Sequence, residues 1–193
     1  KVSNTSIQDL KLSYSFLIND IEGRQIDYAY RANPDGLATQ HTTSPAHGLD
    51  LTRTLGKSSY LDVSLRQNYF DYFDRTYSNL YDKGYDAAGP ATELAGLPDV
   101  VVWGVGFTRY QQTTNTFLLK SSLVRQLSQV QQLKGGIEMQ WPKVEFGNPG
   151  HLVYTESPTG LRLNRYEDMP PDYPGVQTYW PIFGAAYLQD QLE

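Results

Sequence analysis

Apolar residues recur at every second position along this 193-residue chain and almost nowhere at helical spacing. Within residues 60–70, Leu61, Val63, Leu65 and Tyr69 fall on one side of an extended chain, and Asp62, Ser64, Arg66 and Asn68 on the other. Period-two patterning selects a strand, because successive side chains point to opposite faces and only one face meets an apolar medium. The same alternation marks 9–19 (Leu10, Leu12, Tyr14, Phe16 and Ile18 against Lys11, Ser13, Ser15 and Asn19), 48–55, 116–128 and 133–141. Leu17, Arg53, Val124 and Arg125 break phase, and 182–193 is strand-like without a fixed phase. The expected class is all-β, with strands near 9–19, 48–55, 59–74, 116–128, 132–146 and 182–193.

The connections are unequal. Gly56-Lys-Ser58 and Gln129-Val-Gln131 read as tight turns, whereas long loops are expected near 24–46, 78–113 and 148–180. Loops of about 23 to 37 residues are uncommon in compact domains. Short turns on one side and long loops on the other match a transmembrane antiparallel β-barrel, with about six strands here and extracellular loops. Asp62, Arg66, Lys120, Arg125, Lys134 and Glu138 suit a wet lumen, or pair across strands to hold register. A soluble antiparallel β-sandwich alternates in the same way and stays open as the second architecture.

Composition narrows function. A net charge of −5 argues against nucleic-acid binding. The absence of cysteine excludes thiol catalysis, cysteine zinc sites and disulfides. Three histidines leave little for a metal centre, and no apolar stretch is long enough for a membrane-spanning helix. Lys1 at the start and Leu192-Glu193 inside a strand-like segment read as an excerpt of a longer mature chain.

Three segments carry a resemblance. Gly48-Leu-Asp-Leu-Thr-Arg-Thr-Leu-Gly-Lys-Ser-Ser-Tyr-Leu-Asp-Val-Ser-Leu-Arg66 resembles a barrel hairpin of TonB-dependent outer-membrane receptors, in the branch with a carboxypeptidase-regulatory-like N-terminal domain. Gln131-Gln-Leu-Lys-Gly-Gly-Ile-Glu-Met-Gln140 resembles the strand after a periplasmic turn, and Ala185-Ala-Tyr-Leu-Gln-Asp-Gln-Leu-Glu193 the next inward strand. The resemblance covers about a quarter of the chain and implies part of a 22-stranded plugged barrel. It implies the outer membrane of a Gram-negative bacterium, lipid contact, and import of a scarce siderophore, vitamin, glycan or peptide energised by the TonB complex. A surface lipoprotein or larger membrane assembly is a further implied partner. Plug and TonB box match nothing in this sequence, and no functional residue transfers by motif.

For ligand contact the candidates are the loop aromatics Tyr81, Tyr85, Trp103, Tyr110, Tyr154, Tyr166, Tyr173, Tyr179 and Trp180, large amphipathic surfaces suited to sugars, peptides and aromatic chelates. They equally pack loops together. Leu61, Val63, Leu65, Leu119, Leu123, Ile137 and Met139 are the expected lipid-facing row, with Tyr69, Phe70, Tyr72 and Phe73 as a girdle. No enzyme, catalytic residue, metal or cofactor is expected. There is no Gly-x-Ser-x-Gly elbow. Asp82-Lys-Gly-Tyr-Asp86 lacks the ligand count of a calcium loop, and Glu156, Glu167, Asp168 and Asp172 select no acid–base pair. The competing function is a soluble β-sandwich module that binds glycans through the same aromatics.

Overall fold

A computed structural model of the chain describes residues 1–79, 81–107, 109–157, 160–166 and 175–192. Its strands are β1 (Val2–Asn4), β2 (Leu10–Gly23), β3 (Thr39–Thr54), β4 (Ser59–Arg75), β5 (Thr92–Leu94), β6 (Leu97–Trp103), β7 (Arg109–Ser128), β8 (Gln131–Gly147), β9 (His151–Ser157), β10 (Gly160–Tyr166), β11 (Val176–Tyr179) and β12 (Phe183–Leu192). One short helix, α1 (Gly84–Ala88), and two single 3-10 turns at Tyr28–Tyr30 and Pro34–Gly36 complete the described elements.

An eight-stranded antiparallel sheet runs in the order β1-β2-β3-β4-β7-β8-β11, with β12 also paired to β8. Two hairpins, β5–β6 and β9–β10, stand apart from it. The strands outrun their alternating segments. β3 pairs with β2 from Gln40↔Gly23 to Arg53↔Leu10, across His41 to Pro45, where the pattern is polar. The long β4–β7 connection is not bare loop: it holds α1 and the β5–β6 hairpin.

Register explains the two faces. Tyr14, Leu49, Leu65, Leu119, Met139 and Gly184 lie side by side across β2, β3, β4, β7, β8 and β12. The next row is Leu12, Leu51, Val63, Ser121, Ile137 and Ala186, and the next holds Leu61, Leu123 and Leu188. All seven expected row residues therefore share one face. That face is open: Leu65, Leu123 and Ile137 remain 48%, 45% and 47% exposed. The opposite face is stitched by polar pairs. Thr52 Oγ1 donates to Asp62 Oδ1 at 2.6 Å, Ser64 Oγ to Asp50 Oδ1 at 2.8 Å, and Lys120 Nζ meets Glu138 Oε2 at 3.4 Å. Charges from neighbouring strands thus serve cross-strand pairing.

The expectation of a transmembrane barrel segment with six strands and extracellular loops is corrected here. The sheet is open: among the described residues β12 and the β1–β2 side pair with no further strand and are not joined to each other. Alternation reports that a strand has two unlike faces; it does not report which medium each face meets or that a sheet closes. The β1 and β11 segments, too short to show a period, raise the strand count. No helix of the described residues is long and apolar enough to cross a membrane.

Buried apolar side chains gather away from the sheet faces. Tyr85 is 0% exposed, and Val100, Val101 and Val105 are 6% or less. All four belong to the β4–β7 connection. Of the buried apolar side chains, Val124 lies in the sheet, at one of the positions that breaks the alternation.

Candidate functional site

The β4–β7 connection folds into a cap with its own small core. Asp82 Oδ1 accepts the Gly84 amide at 2.7 Å, a local turn that opens α1. That geometry gives Asp82 a structural task within the Asp82–Asp86 segment. No group of three or more His, Cys, Asp or Glu side chains that could hold a metal is found among the described residues. The Tyr85 ring on α1 meets Tyr77 edge-on at 4.8 Å and Phe107 at 6.1 Å. Such T-shaped pairs favour the positive ring edge against the negative face. Buried Arg109, at the start of β7, places its guanidinium 5.9 Å from the rings of both Tyr81 and Tyr85.

The β2–β3 connection docks on this cap. Asn33 Nδ2 donates to the Gly104 carbonyl at 2.7 Å, and Arg31 Nη1 to the Asp99 carbonyl at 3.0 Å. The Gly106 amide donates to the Gly36 carbonyl at 2.8 Å. Thr76 Oγ1 donates to the Gly106 carbonyl at 2.8 Å, tying the end of β4 to the same point.

Two clefts border this junction. One, of about 510 Å³, is lined by Gln25, Asp27, Tyr28, Tyr30, Gln40 and Asp74, with Gly106 at its edge. Gln40 Nε2 donates to Asp74 Oδ2 at 3.3 Å, and the Tyr28 ring carries the Arg31 guanidinium at 4.3 Å. Burial, and then the Asp27 charge, raises the Tyr30 phenol above its ordinary pKa. The second cleft, of about 370 Å³, is lined by Trp103, Tyr77, Gly84, Ala88, Asn33 and Asp35. Asp35 is paired with Arg24 at 2.9 Å.

Trp103 is positioned by its successor. Gly104 has φ +83°, a left-handed conformation that suits glycine, and any Cβ there would run into the Pro90 carbonyl. The Ala91 amide donates to the Val105 carbonyl at 3.2 Å, and the Val105 amide to the Gly89 carbonyl at 3.0 Å. With the end of β6 held in this way, Trp103 stands 65% exposed.

The other expected aromatics are dispersed. Tyr81 is half exposed, and Tyr85 is the core of the cap. Tyr110 lies in β7, its ring 6.0 Å from Tyr72 and its hydroxyl donating to Gln112 Oε1 at 3.1 Å. Tyr179 stacks on Phe146 at 5.7 Å, and Trp180 is exposed beyond β11. Tyr154 and Tyr166 lie in the β9–β10 ladder, in register with Leu163 and His151. Tyr173, Glu167, Asp168 and Asp172 lie outside the described residues. Phe73, expected in a girdle, stacks on His41 at 5.1 Å and carries the Arg75 guanidinium at 4.1 Å. Sequence reasoning passed over Tyr28, Tyr30, Asn33 and Asp35; the signal available was the cluster of tyrosine, asparagine and aspartate between β2 and β3.

No protein-family model matches the chain, and neither a curated protein nor a solved structure matches it. The resemblance to TonB-dependent receptors is therefore corrected, together with the import function, outer-membrane location, and lipid, TonB-complex and lipoprotein partners drawn from it. The three segments that carried it are alternating strands bounded by turn residues, a pattern common to antiparallel sheets of many kinds. The findings support an all-β chain built on an open antiparallel sheet.

Proposed function

We propose that this chain is a non-catalytic binding module that holds a carbohydrate at the cap, against Trp103. The observation that carries this is the 65% exposure of Trp103 beside a cap core whose Tyr85, Val100, Val101 and Val105 are 6% exposed or less. An exposed indole on a braced hairpin offers a flat face to the C–H groups of a sugar ring. The cleft of about 370 Å³ has room for that ring, and Asn33 and Asp35, already bonded to Gly104 and Arg24, line it with an amide and a carboxylate whose remaining hydrogen-bonding capacity serves the sugar hydroxyls. Carboxylate and amide flanking an aromatic plane select a neutral polyol over an anionic ligand.

The test is a titration with a panel of neutral oligosaccharides, read by tryptophan fluorescence in a Trp141→Phe, Trp180→Phe background that leaves Trp103 alone. Saturable quenching or a blue shift by a subset of the panel is expected, with Trp103→Ala weakening that binding at least tenfold by calorimetry. Failure of the whole panel, or unchanged affinity in Trp103→Ala, would overturn the assignment.

A further inference from the structure

The larger cleft at the junction carries unbalanced charge. Its lining includes two carboxylates, Asp27 and Asp74, and no lysine, arginine or histidine. The two acids arrive from different parts of the chain. Asp27 opens the 3-10 turn after β2, where its Oδ1 accepts the Ala29 amide at 2.8 Å. Asp74 lies near the end of β4, in register with Gln40 of β3, whose Nε2 donates to it at 3.3 Å.

Three arginines adjoin lining residues in sequence, and each is engaged elsewhere. Arg24, before Gln25, pairs with Asp35 at 2.9 Å and donates to the Pro34 carbonyl at 3.3 Å. Arg31, after Tyr30, donates to the Tyr28 and Asp99 carbonyls at 2.8 and 3.0 Å. Arg75, after Asp74, places its guanidinium 4.1 Å from the Phe73 ring. Among the described residues neither Asp27 nor Asp74 has an ion-pair partner. The other cleft differs on this point, because its Asp35 is neutralised by Arg24.

The rest of the lining narrows the ligand. At about 510 Å³ the cleft has the size of a small-molecule site. Tyr28 and Tyr30 add rings whose faces attract cations, as Arg31 over Tyr28 at 4.3 Å shows within the chain itself. Leu37 and Ala38 add aliphatic surface. The Asp27 charge is felt inside the cleft: after burial, it is what raises the Tyr30 phenol. A calcium ion takes about six to eight oxygen ligands, far more than two carboxylates supply. Unpaired acids, aromatic faces and aliphatic surface together fit an organic cation.

We propose that this cleft binds a small aliphatic diamine, its ammonium groups drawn to Asp27 and Asp74 and its carbon chain lying against Leu37 and Ala38. Two uncompensated carboxylates call for more than one positive charge, and ammonium N–H groups make charge-assisted hydrogen bonds to them. Amine binding here is independent of the sugar reading, since Trp103 does not line this cleft.

The experiment is calorimetry on the full chain with putrescine, butylamine and butanediol, which share a four-carbon body and differ in charge. Putrescine is expected to bind saturably at one per chain, butylamine about tenfold more weakly, and butanediol not measurably. Asp27→Asn and Asp74→Asn each remove one charge and keep an oxygen for the Ala29 amide or for Gln40; each is expected to weaken putrescine about tenfold. Glu93→Gln removes a charge from exposed β5 and should leave the affinity unchanged. Circular-dichroism spectra matching the parent's verify that the variants keep their fold. Absence of putrescine binding, butanediol binding as tightly as putrescine, or full affinity in both aspartate variants would each overturn the proposal. Equal weakening by Glu93→Gln would overturn it too, reducing the effect to net charge.

Discussion

The guanidinium of Arg66 on β4 lies over Gly48 of β3 and donates from Nη2 to both carboxylate oxygens of Asp50, at 2.7 and 2.9 Å. Its Nη1 reaches Ser15 Oγ on β2 at 3.0 Å. One side chain thus spans three strands. Gly48 stands directly opposite Arg66 in the ladder, so the missing side chain makes the crossing possible. Gly48→Ala is expected to destabilise the chain by about 1–2 kcal/mol, since a Cβ there displaces the guanidinium from Asp50. In an Arg66→Ala background the same change is expected to be neutral or to stabilise by about 0.5 kcal/mol, because alanine is then simply a better strand residue than glycine. A urea-denaturation double-mutant cycle reads the coupling. Additive costs would show that Gly48 is needed for some other reason.

Tyr85 gives a second prediction. It is the fully buried large side chain of the cap, between Tyr77 and Phe107. Tyr85→Ala is expected to cost about 3–5 kcal/mol within the cap, the range for truncating a buried aromatic. The sheet draws its order from long ladders that do not involve Tyr85, so the loss is expected to be local. Limited proteolysis should then cut within 76–108 while β3, β4 and β8 stay protected. Uniform loss of protection across the sheet would contradict a separable cap.

These two sites show what the sequence could reveal. The alternation of Leu61, Val63 and Leu65 exposes the faces of β4, because period two is a property of the strand itself. The extension of β3 back to Thr39 is not visible, because His41-Thr-Thr-Ser-Pro45 has no apolar phase and is held by pairing, His41–Thr43 with both β2 and β4 and Ser44–Pro45 with β2. Tertiary pairing overrides local pattern there. Trp103 stood out as a large aromatic in a loop, but its neighbours Asn33 and Asp35 come from a different connection. That proximity depends on the Asn33–Gly104 and Gly36–Gly106 hydrogen bonds, which no spacing rule encodes. Edge exposure and sheet closure are likewise properties of partners rather than of a strand's own residues.

Gly104 supplies a third prediction. Gly104→Ala forces a side chain into a left-handed backbone position and against the Pro90 carbonyl, which is backbone and cannot swing aside. About 2 kcal/mol or more is expected from the conformation and the clash together. The β5–β6 hairpin should loosen, and Trp103 should lose its fixed orientation. In the single-tryptophan background its fluorescence anisotropy is expected to fall, and sugar affinity with it. Unchanged anisotropy would mean that Trp103 is braced elsewhere.

The Tyr77 phenol gives a pH prediction. Burial first, then the Asp82 charge and Tyr85, raises its pKa above the ordinary value of 10.0. A raised folded-state pKa means that the neutral phenol is favoured in the cap. The stability it contributes is complete below the pKa of the unfolded chain and is lost as pH rises through the higher folded value. The cap should therefore weaken in the alkaline range, above about pH 10. Tyr77→Phe keeps the ring that meets Tyr85 edge-on and removes the ionisable group. Its cap is expected to retain more of its neutral-pH stability in that range than the parent's. Ultraviolet difference titration should show one fewer late-ionising phenol in Tyr77→Phe, with those of Tyr30, Tyr69 and Tyr72, also raised chiefly by burial, still present. An unchanged number of late phenols would place Tyr77 in ordinary solvent and detach the alkaline transition from the cap.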